Sequence, residues 1–540
     1  MHSSFVHRPI VMSRNGLVAS GHHLASLAGI DVLKQGGNAF DSAIAISAVL
    51  SVVRPHMAAL GGDAFALLYS SRTGMVEALN ASGPAPSDAS CDLFLEKGLA
   101  SVPKDGIWAV SVPGLVDCWN EICEKHGTTS LKDLLKTAIG YAREGFPVYP
   151  GLSQAIEEQA PKLSRDPSAG NAFFRDGRPL RPGEMLIQRD LARTLEKIAS
   201  EGPRSFYEGD IARMIVDHSR KLGGLLGEDD LAGYQSIWKS PISTTYRGHA
   251  VLEQPPVSQG HILLQELNLV EGFDLATMGH NTADSIHLMV EAKKLAFVDR
   301  IQYLGDPDFV RVPIDVLLSK EYAVRRRAQI DLSKALRTMP AGESLDGGGE
   351  TTYFCVVDKD GNAVSFIQSI FHSFGSGVIV EGTGMLLNNR MYGFSLQSNH
   401  PNRLEPGKKT AHTLNTYMVM DDGELFMVGG TPGADDQVQV NLQVIANVLD
   451  YRMNVQGAIE SPRWSSRPGT TPGEETRPYE LWIEDRIPSD IRDLLVEKGH
   501  DVKTADGWAF GGVQAILIDR ENRTLMGGAD PRRDGYAIGC

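Results

Sequence analysis

Asp346-Gly347-Gly348-Gly349-Glu350-Thr351-Thr352-Tyr353-Phe354-Cys355-Val356-Val357 is a glycine run that stops abruptly at a threonine, which opens a β-strand. A threonine hydroxyl is a poor nucleophile at neutral pH and needs a base beside it. Once the peptide bond before Thr351 is cut, the residue's own α-amine becomes the nearest base. Glycines 347 to 349 give the backbone the freedom that attack on the preceding carbonyl requires. A Gly-rich loop entering an ordinary strand accounts for the same residues. The stretch alone leaves both readings open.

Working outward, Thr352 to Val357 and Ala363 to Ile370 flank Asp358-Lys359-Asp360-Gly361-Asn362, and Asp-Gly between apolar runs predicts a hairpin. Thr416 to Met420 and Leu425 to Val428 repeat the pattern around Asp421-Asp422-Gly423-Glu424, and Val513 to Asp519 with Thr524 to Gly527 form a third pair. Helices are predicted at Asp436 to Leu449 and Ser489 to Lys498. Sheets covered by helices follow.

Upstream, Leu24 to Lys34 reads as a helix ending at Gly36-Gly37, and Asp41 to Val53, apolar on nearly every side, as a buried helix stopped by Pro55. Helical patterns dominate from Ser130 to Asp299, including Ile262 to Leu269 and an amphipathic Thr282 to Asp299 with Ile286, Met289, Val290 and Phe297 near one face. Ser319 to Leu345 reads as a charged, irregular surface segment whose arginines 325 to 327 are solvated. His22, His23 and His56 show no repeated metal-ligand spacing and read as packing or capping residues.

A net charge of −15 and no basic stripe with interleaved aromatics argue against a nucleic-acid partner. Cys91, Cys118, Cys123, Cys355 and Cys540 form neither a paired framework nor a CxxC metal spacing, which fits free thiols in a reducing compartment. Arg8 and Arg14 interrupt the N-terminus, and the longest apolar run, Ala43 to Val53, is too short to span a bilayer. The expectation is a cytoplasmic protein without membrane, metal or organic cofactor.

Thr431-Pro432-Gly433-Ala434 lies between a strand and the helix beginning near Asp435, so its N–H groups are expected at the positive end of a helix dipole. Such donors form an oxyanion hole, each worth roughly 3 kcal/mol to an acyl transfer. A plain strand-to-helix turn has the same sequence.

The chain resembles the gamma-glutamyltransferase family of N-terminal-nucleophile hydrolases. The resemblance is carried by LKQGGNAFDSAIA at 33 to 45, RPHMAALGGDAF at 54 to 65, VSVPGLVDCW at 110 to 119, GGLLGEDDLAGY at 223 to 234, YRGHAVLEQPPVSQG at 246 to 260, TTYFCVVDKDGNAVSF at 351 to 366, FGSGVIVEGTGMLLNN at 374 to 389, TPGADDQ at 431 to 437 and ADPRRDG at 529 to 535. It implies an α+β fold, a four-layer αββα sandwich formed jointly by two fragments of one precursor. Self-cleavage between Glu350 and Thr351 would give a large fragment, 1–350, mostly helical with strands of the shared sheets, and a small one, 351–540, of 190 residues (540 less 350). The fragments would stay together as an αβ heterodimer, which can pair again into a dimer. Thr351 would serve as nucleophile in maturation and turnover, with its α-amine as base. Gly433 and Ala434 match the family's oxyanion pair, and Ser369 stands where the family has a second, supporting threonine.

Members that transfer γ-glutamyl groups clamp the substrate's α-carboxylate and α-amine with an arginine, paired serines and an aspartate. Here Ser82 takes the arginine's place, Ala411-His412 replaces the serines, Gly393 the aspartate, and Phe371 and Arg390 the neighbouring asparagine and glutamine. An amino-acid headgroup without partners in a dry pocket costs a few kcal/mol. Ser395 to Thr410 is shorter than the family's usual lid. The resemblance therefore implies an amidohydrolase for a small, carboxylated acyl amide, such as oxamate-like or dicarboxylic acyl amides. Arg390 and His412, with Phe371, His372 and Ser82, are the pocket candidates. γ-Glutamyl hydrolysis or transfer, as with glutathione, is the alternative, and a silent, uncleaved binding protein the second.

Overall fold

The computed structural model describes residues 6–336, 349–469 and 478–540. Gly347 and Gly348, counted above as part of the flexible run, lie outside these residues. Two seven-stranded antiparallel sheets pack face to face. The first runs Tyr536–Gly539, Gly16–Ser20, Gly349–Asp358, Ala363–His372, Asp63–Ser70, Met75–Ala81, Ile237–Lys239. The second runs Val11–Ser13, Thr524–Ala529, Gln514–Asp519, Glu424–Gly430, Tyr417–Asp421, His249–Glu253, Ile242–Tyr246.

Strand alternation sorts the side chains into layers. From the Gly349–Asp358 strand, Tyr353, Cys355 and Val357 enter the core between the sheets, with Phe65, Leu67, Met418, Val428 and Ile516. Phe354 and Val356 point the other way, to a core built with the helices His23–Lys34, Ala39–Val53 and Leu115–His126. The outer face of the second sheet is covered by Gly260–Val270, Ala283–Tyr303 and Asp436–Leu449. The order is helix, sheet, sheet, helix. Each fully buried aliphatic or aromatic side chain contributes about 1.5–3 kcal/mol to holding it.

The three predicted hairpins and both later helices form within two or three residues of their expected bounds. The helix Ala39–Val53 is buried along its whole length and is capped by Asn38, whose side chain accepts from the Asp41 N–H at 2.9 Å. Three expectations need correction. Ile242–Tyr246 and His249–Glu253 form a hairpin inside the region read as helical, because Arg247-Gly248 turns the chain at φ values of 51° and 86°. Ala283–Tyr303 is buried nearly all round rather than amphipathic, including Glu291 and Lys294, which pair at 2.7 Å. Lys320–Arg327 is a helix, and two of its arginines are tied down rather than solvated. Arg327 donates to the carbonyls of Asn268 and Leu269 at 2.8 and 3.0 Å, and Arg326 to Leu295 O at 2.8 Å and Asp299 at 3.2 Å. The Arg327 contacts satisfy carbonyls in the last turn of a neighbouring helix.

Residues on either side of position 351 interleave. The Gly349–Asp358 and Ala363–His372 hairpin is inserted between Gly16–Ser20 and Asp63–Ser70. This places Thr351 near one end of the central strand pair.

Candidate active site

The chain runs on through the Glu350–Thr351 bond as part of one strand. Pairing with Ala363–His372 is regular from Val357 back to Thr352, which faces Gln368, and then slips, so that Glu350 faces Phe371. Thr351 alone opposes Ser369 and Ile370, a bulge of the kind that re-aims a side chain. Across it the Thr351 hydroxyl lies 3.3 Å from Ser369 Oγ. Ser369 Oγ in turn donates to Glu350 O at 2.7 Å, the carbonyl of the bond ahead of Thr351, and accepts the Phe371 N–H at 2.8 Å. Phe371 is held at φ +80°, a sparsely populated conformation for an L residue. One hydroxyl thus touches both the candidate nucleophile and the carbonyl it would attack.

Gly433 and Ala434 follow the Glu424–Gly430 strand and precede the Asp436–Leu449 helix, at φ values of +130° and +50°. Among the described residues neither N–H donates to protein, while their carbonyls accept from the Asp436 and Gln437 N–H groups at 2.9 and 3.2 Å. The turn is fixed further by Gln259 Nε2, which donates to Ala434 O at 3.2 Å and Thr413 O at 2.7 Å, and by an Arg300–Asp435 ion pair. The strand that leads into it packs closely on Gly349–Asp358, since a Cβ built on Gly430 would come within 2.5 Å of the Tyr353 ring. Glu350, Gly433 and Ala434 line one cavity of about 1330 Å³. Two N–H groups left free on the wall of a cavity that Glu350 also lines are the kind of donor an acyl transfer needs.

The pocket candidates divide into three situations. Ser82 is fully buried, and its hydroxyl is spent on Asn80 Oδ1 at 2.6 Å; it does not line the cavity. Arg390, 1% exposed, donates from Nε to Asp63 Oδ2 at 2.9 Å, stacks 4.4 Å over Phe371, and leaves Nη2 without a partner. Burial pushes the Asp63 carboxyl up in pKa, and Arg390 and the Gly83 N–H counteract it. His412, fully buried against Phe65 on the same inter-sheet side, has no partner on either ring nitrogen. Arg390 therefore stands over Phe371 and His412 beside Phe65, both with unspent polar atoms and neither lining the large cavity.

His372 does line the large cavity. Asn389 Oδ1 accepts the His372 N–H at 3.0 Å, so its Nδ2 donates to Lys104 O at 2.8 Å and to His372 Nδ1 at 3.0 Å. This network puts the ring proton on Nε2. Burial, with the charges of Lys104, Lys162 and Arg390, pushes the imidazole down to about 3, so it is a neutral donor.

His22, His23 and His56 have a place in the fold beyond packing and capping. His22 Nδ1 does accept the Leu24 N–H at 3.3 Å as a helix cap, but all three rings line the large cavity with Arg54 and Tyr149. Only the tertiary fold brings them together; no spacing announces it. Asp63, the partner of Arg390, was likewise silent in the sequence. Among the described residues one group has metal-ligand geometry, His287, Glu291 and His500. Its donor atoms are already committed: His287 Nδ1 to His500 Nε2 at 2.8 Å, and Glu291 to Lys294 and the Leu336 N–H. It reads as a hydrogen-bonded cluster. No described helix is long and apolar enough to cross a membrane.

Comparison with known proteins agrees with this geometry. The gamma-glutamyltranspeptidase family profile matches residues 25–540. The glutathione hydrolase-like YwrD proenzyme of Bacillus subtilis is 41% identical over 533 residues, covering 98% of this chain and 99% of its own length. The glutathione hydrolase proenzyme of Escherichia coli is 35% identical, covering 97% and 91%. The crystal structure of a cephalosporin acylase from Bacillus halodurans superimposes with a TM-score of 0.92 at 37% identity, covering 100% of this chain and 98% of that one. The chain therefore belongs to the gamma-glutamyltranspeptidase family and is an enzyme of the N-terminal-nucleophile amidohydrolase and transferase class.

Proposed function

We propose that the chain is a proenzyme that cuts itself between Glu350 and Thr351 and then hydrolyses a small, carboxylated acyl amide through an ester on Thr351. The observation that carries the reading is the Ser369 hydroxyl, set between Thr351 Oγ1 and Glu350 O. In maturation Thr351 Oγ1 attacks the Glu350 carbonyl carbon while Ser369 donates to the oxygen that gains charge. The C–N bond breaks, the nitrogen takes the Oγ1 proton beside the hydrogen it already carries to become the new α-amine, and water hydrolyses the resulting ester. In turnover that amine takes the Oγ1 proton, the Gly433 and Ala434 N–H groups receive the oxyanion, and the proton passes to the departing amine. Water then releases the acid. The interleaved strands hold residues 6–350 and 351–540 together after the cut, as an αβ heterodimer. The proenzyme names of the relatives support such processing.

A carboxylated acyl chain is favoured by Arg390 Nη2, over Phe371, and by the His412 ring beside Phe65, both buried and unspent. The glutathione hydrolase names among the relatives favour γ-glutamyl substrates instead. Against this, Phe371, Gly393 and Ala411 offer no side-chain hydrogen-bond acceptor or counter-charge to an ammonium group. Purified protein assayed with a γ-glutamyl anilide beside oxamate and glutaryl amides separates the two. The glutaryl or oxamate amides are expected to turn over; turnover of the γ-glutamyl anilide alone refutes the acyl assignment. Thr351→Ala is expected to leave one 58.6 kDa species by mass spectrometry, and Thr351→Ser to retain some cleavage. Full cleavage of the alanine variant would place the cut in the hands of another protease.

A further inference from the structure

The second face of the nucleophile strand carries a separate set of unspent polar groups. Thr352, one residue past Thr351, points away from Arg390 toward the side covered by the helix Ala39–Val53, as does Gln368 opposite it, which accepts from Ser47 of that helix. Its hydroxyl, at a residue 1% exposed, has no partner. Arg54 caps the C-terminus of that helix, is 2% exposed, and forms no ion pair with any carboxylate among the described residues. Nη1 donates to Gly21 O at 2.8 Å and Nε is unpartnered. A Cβ built on Gly21 would come within 2.4 Å of Arg54 Nη1 and 2.6 Å of Thr352 Oγ1, so the two groups meet over a residue where no side chain fits. His56, two residues on and 2% exposed, adds an unpartnered Nδ1.

Arg54 and His56 both line the large cavity, with Glu350 and the Gly433-Ala434 turn. A guanidinium taken out of water without a counter-ion is costly, and one with an N–H still unspent at a cavity wall suits a carboxylate. Among the described residues the cavity also holds six carboxylates, Asp105, Glu158, Glu350, Asp435, Asp436 and Asp534, none of which forms an ion pair with Arg54; Asp435 is paired with Arg300, and Asp105 lies 3.7 Å from Lys162. About 1330 Å³ is more than a small acyl group fills.

We propose that Arg54, with Thr352 Oγ1 and His56 Nδ1 beside it, binds a carboxylate carried by the amine half of the amide substrate. This rests on the acyl-amide reading above, and divides the site by faces. Arg390 and His412 serve the acyl half on the inter-sheet side of the strand, and Arg54 serves the departing amine on the other. The enzyme then prefers acyl amides of amino acids to those of plain amines.

Two substrates of the cleaved protein test this: one glutaryl group on glycine and the same group on methylamine, which lacks only the carboxylate. The wild type is expected to show a KM for the glycine amide about 10-fold or more below that for the methylamide, as for hydrogen bonds to a charged group. Arg54→Gln should collapse that ratio toward one by raising the KM of the glycine amide, and Arg54→Lys should keep part of it. Equal KM values in the wild type, or an undiminished ratio in Arg54→Gln, overturn the Arg54 site while leaving the acyl reading intact. Because the wild-type ratio decides by itself, a poorly folding Arg54→Gln does not rescue the idea. No turnover of either amide, with a γ-glutamyl anilide cleaved, overturns the acyl reading instead.

Discussion

Ser369→Ala isolates the chemistry of maturation from its scaffold. The hydroxyl is 2.7 Å from the Glu350 carbonyl and 3.3 Å from the Thr351 hydroxyl, so its loss removes the one side-chain donor on that carbonyl among the described residues. A lost oxyanion donor costs about 2.7–4 kcal/mol of transition-state stabilisation, or roughly 10²–10³ in rate. The variant also orphans the Phe371 N–H, which now donates to Ser369 Oγ at 2.8 Å, at about 1–3 kcal/mol of stability. Ser369→Thr keeps the oxygen and should cleave near the wild-type rate. The assay follows freshly folded protein by mass spectrometry, reading the decay of the 58.6 kDa chain into its two fragments, with a thermal melt as control. Cleavage of Ser369→Ala within a few-fold of the wild-type rate would refute the role of this hydroxyl, because the lost stability alone does not slow the step selectively.

Other outcomes follow from the same geometry. Arg390→Met leaves Asp63, itself fully buried, without its counter-charge and should cost about 3–5 kcal/mol, read as a lower denaturant midpoint; Asp63→Asn in the same chain should recover part of it. Ala434→Gly keeps the N–H and removes a Cβ from a φ of +50°, so stability should rise by up to about 1 kcal/mol with the acylation rate preserved; a drop in both would show that the methyl packs against substrate. His261 and His372, both pushed down to about 3 by burial, and His280 and His400, pushed down to about 4, stay neutral in the fold. Between about pH 6.5 and those values the unfolded chain binds more protons than the native one, so this stability is present above 6.5 and is lost as the pH falls, at about 1.4 kcal/mol per pH unit for each such histidine. A urea midpoint that stays flat from pH 7 to 5 would contradict it.

The sequence by itself determined the local elements and named the candidates for the reacting residues. The Asp-Gly turns, the apolar run Ala43 to Val53, and the TPGA turn before a helical pattern are short-range signals, because turn chemistry and helix caps act over a few residues. Thr351 was legible because an alcohol after a glycine run has a chemical reason to be there, and the resemblance over most of the chain fixed its partner Ser369. What the tertiary structure alone decided is which polar groups are left unspent. Asp63 neutralising Arg390, Asn389 setting the His372 tautomer, and Arg54 and Thr352 flanking Gly21 all join residues well separated in the chain. Burial decides their cost, and burial is a property of the packed sheets and helices, which no single stretch of sequence carries.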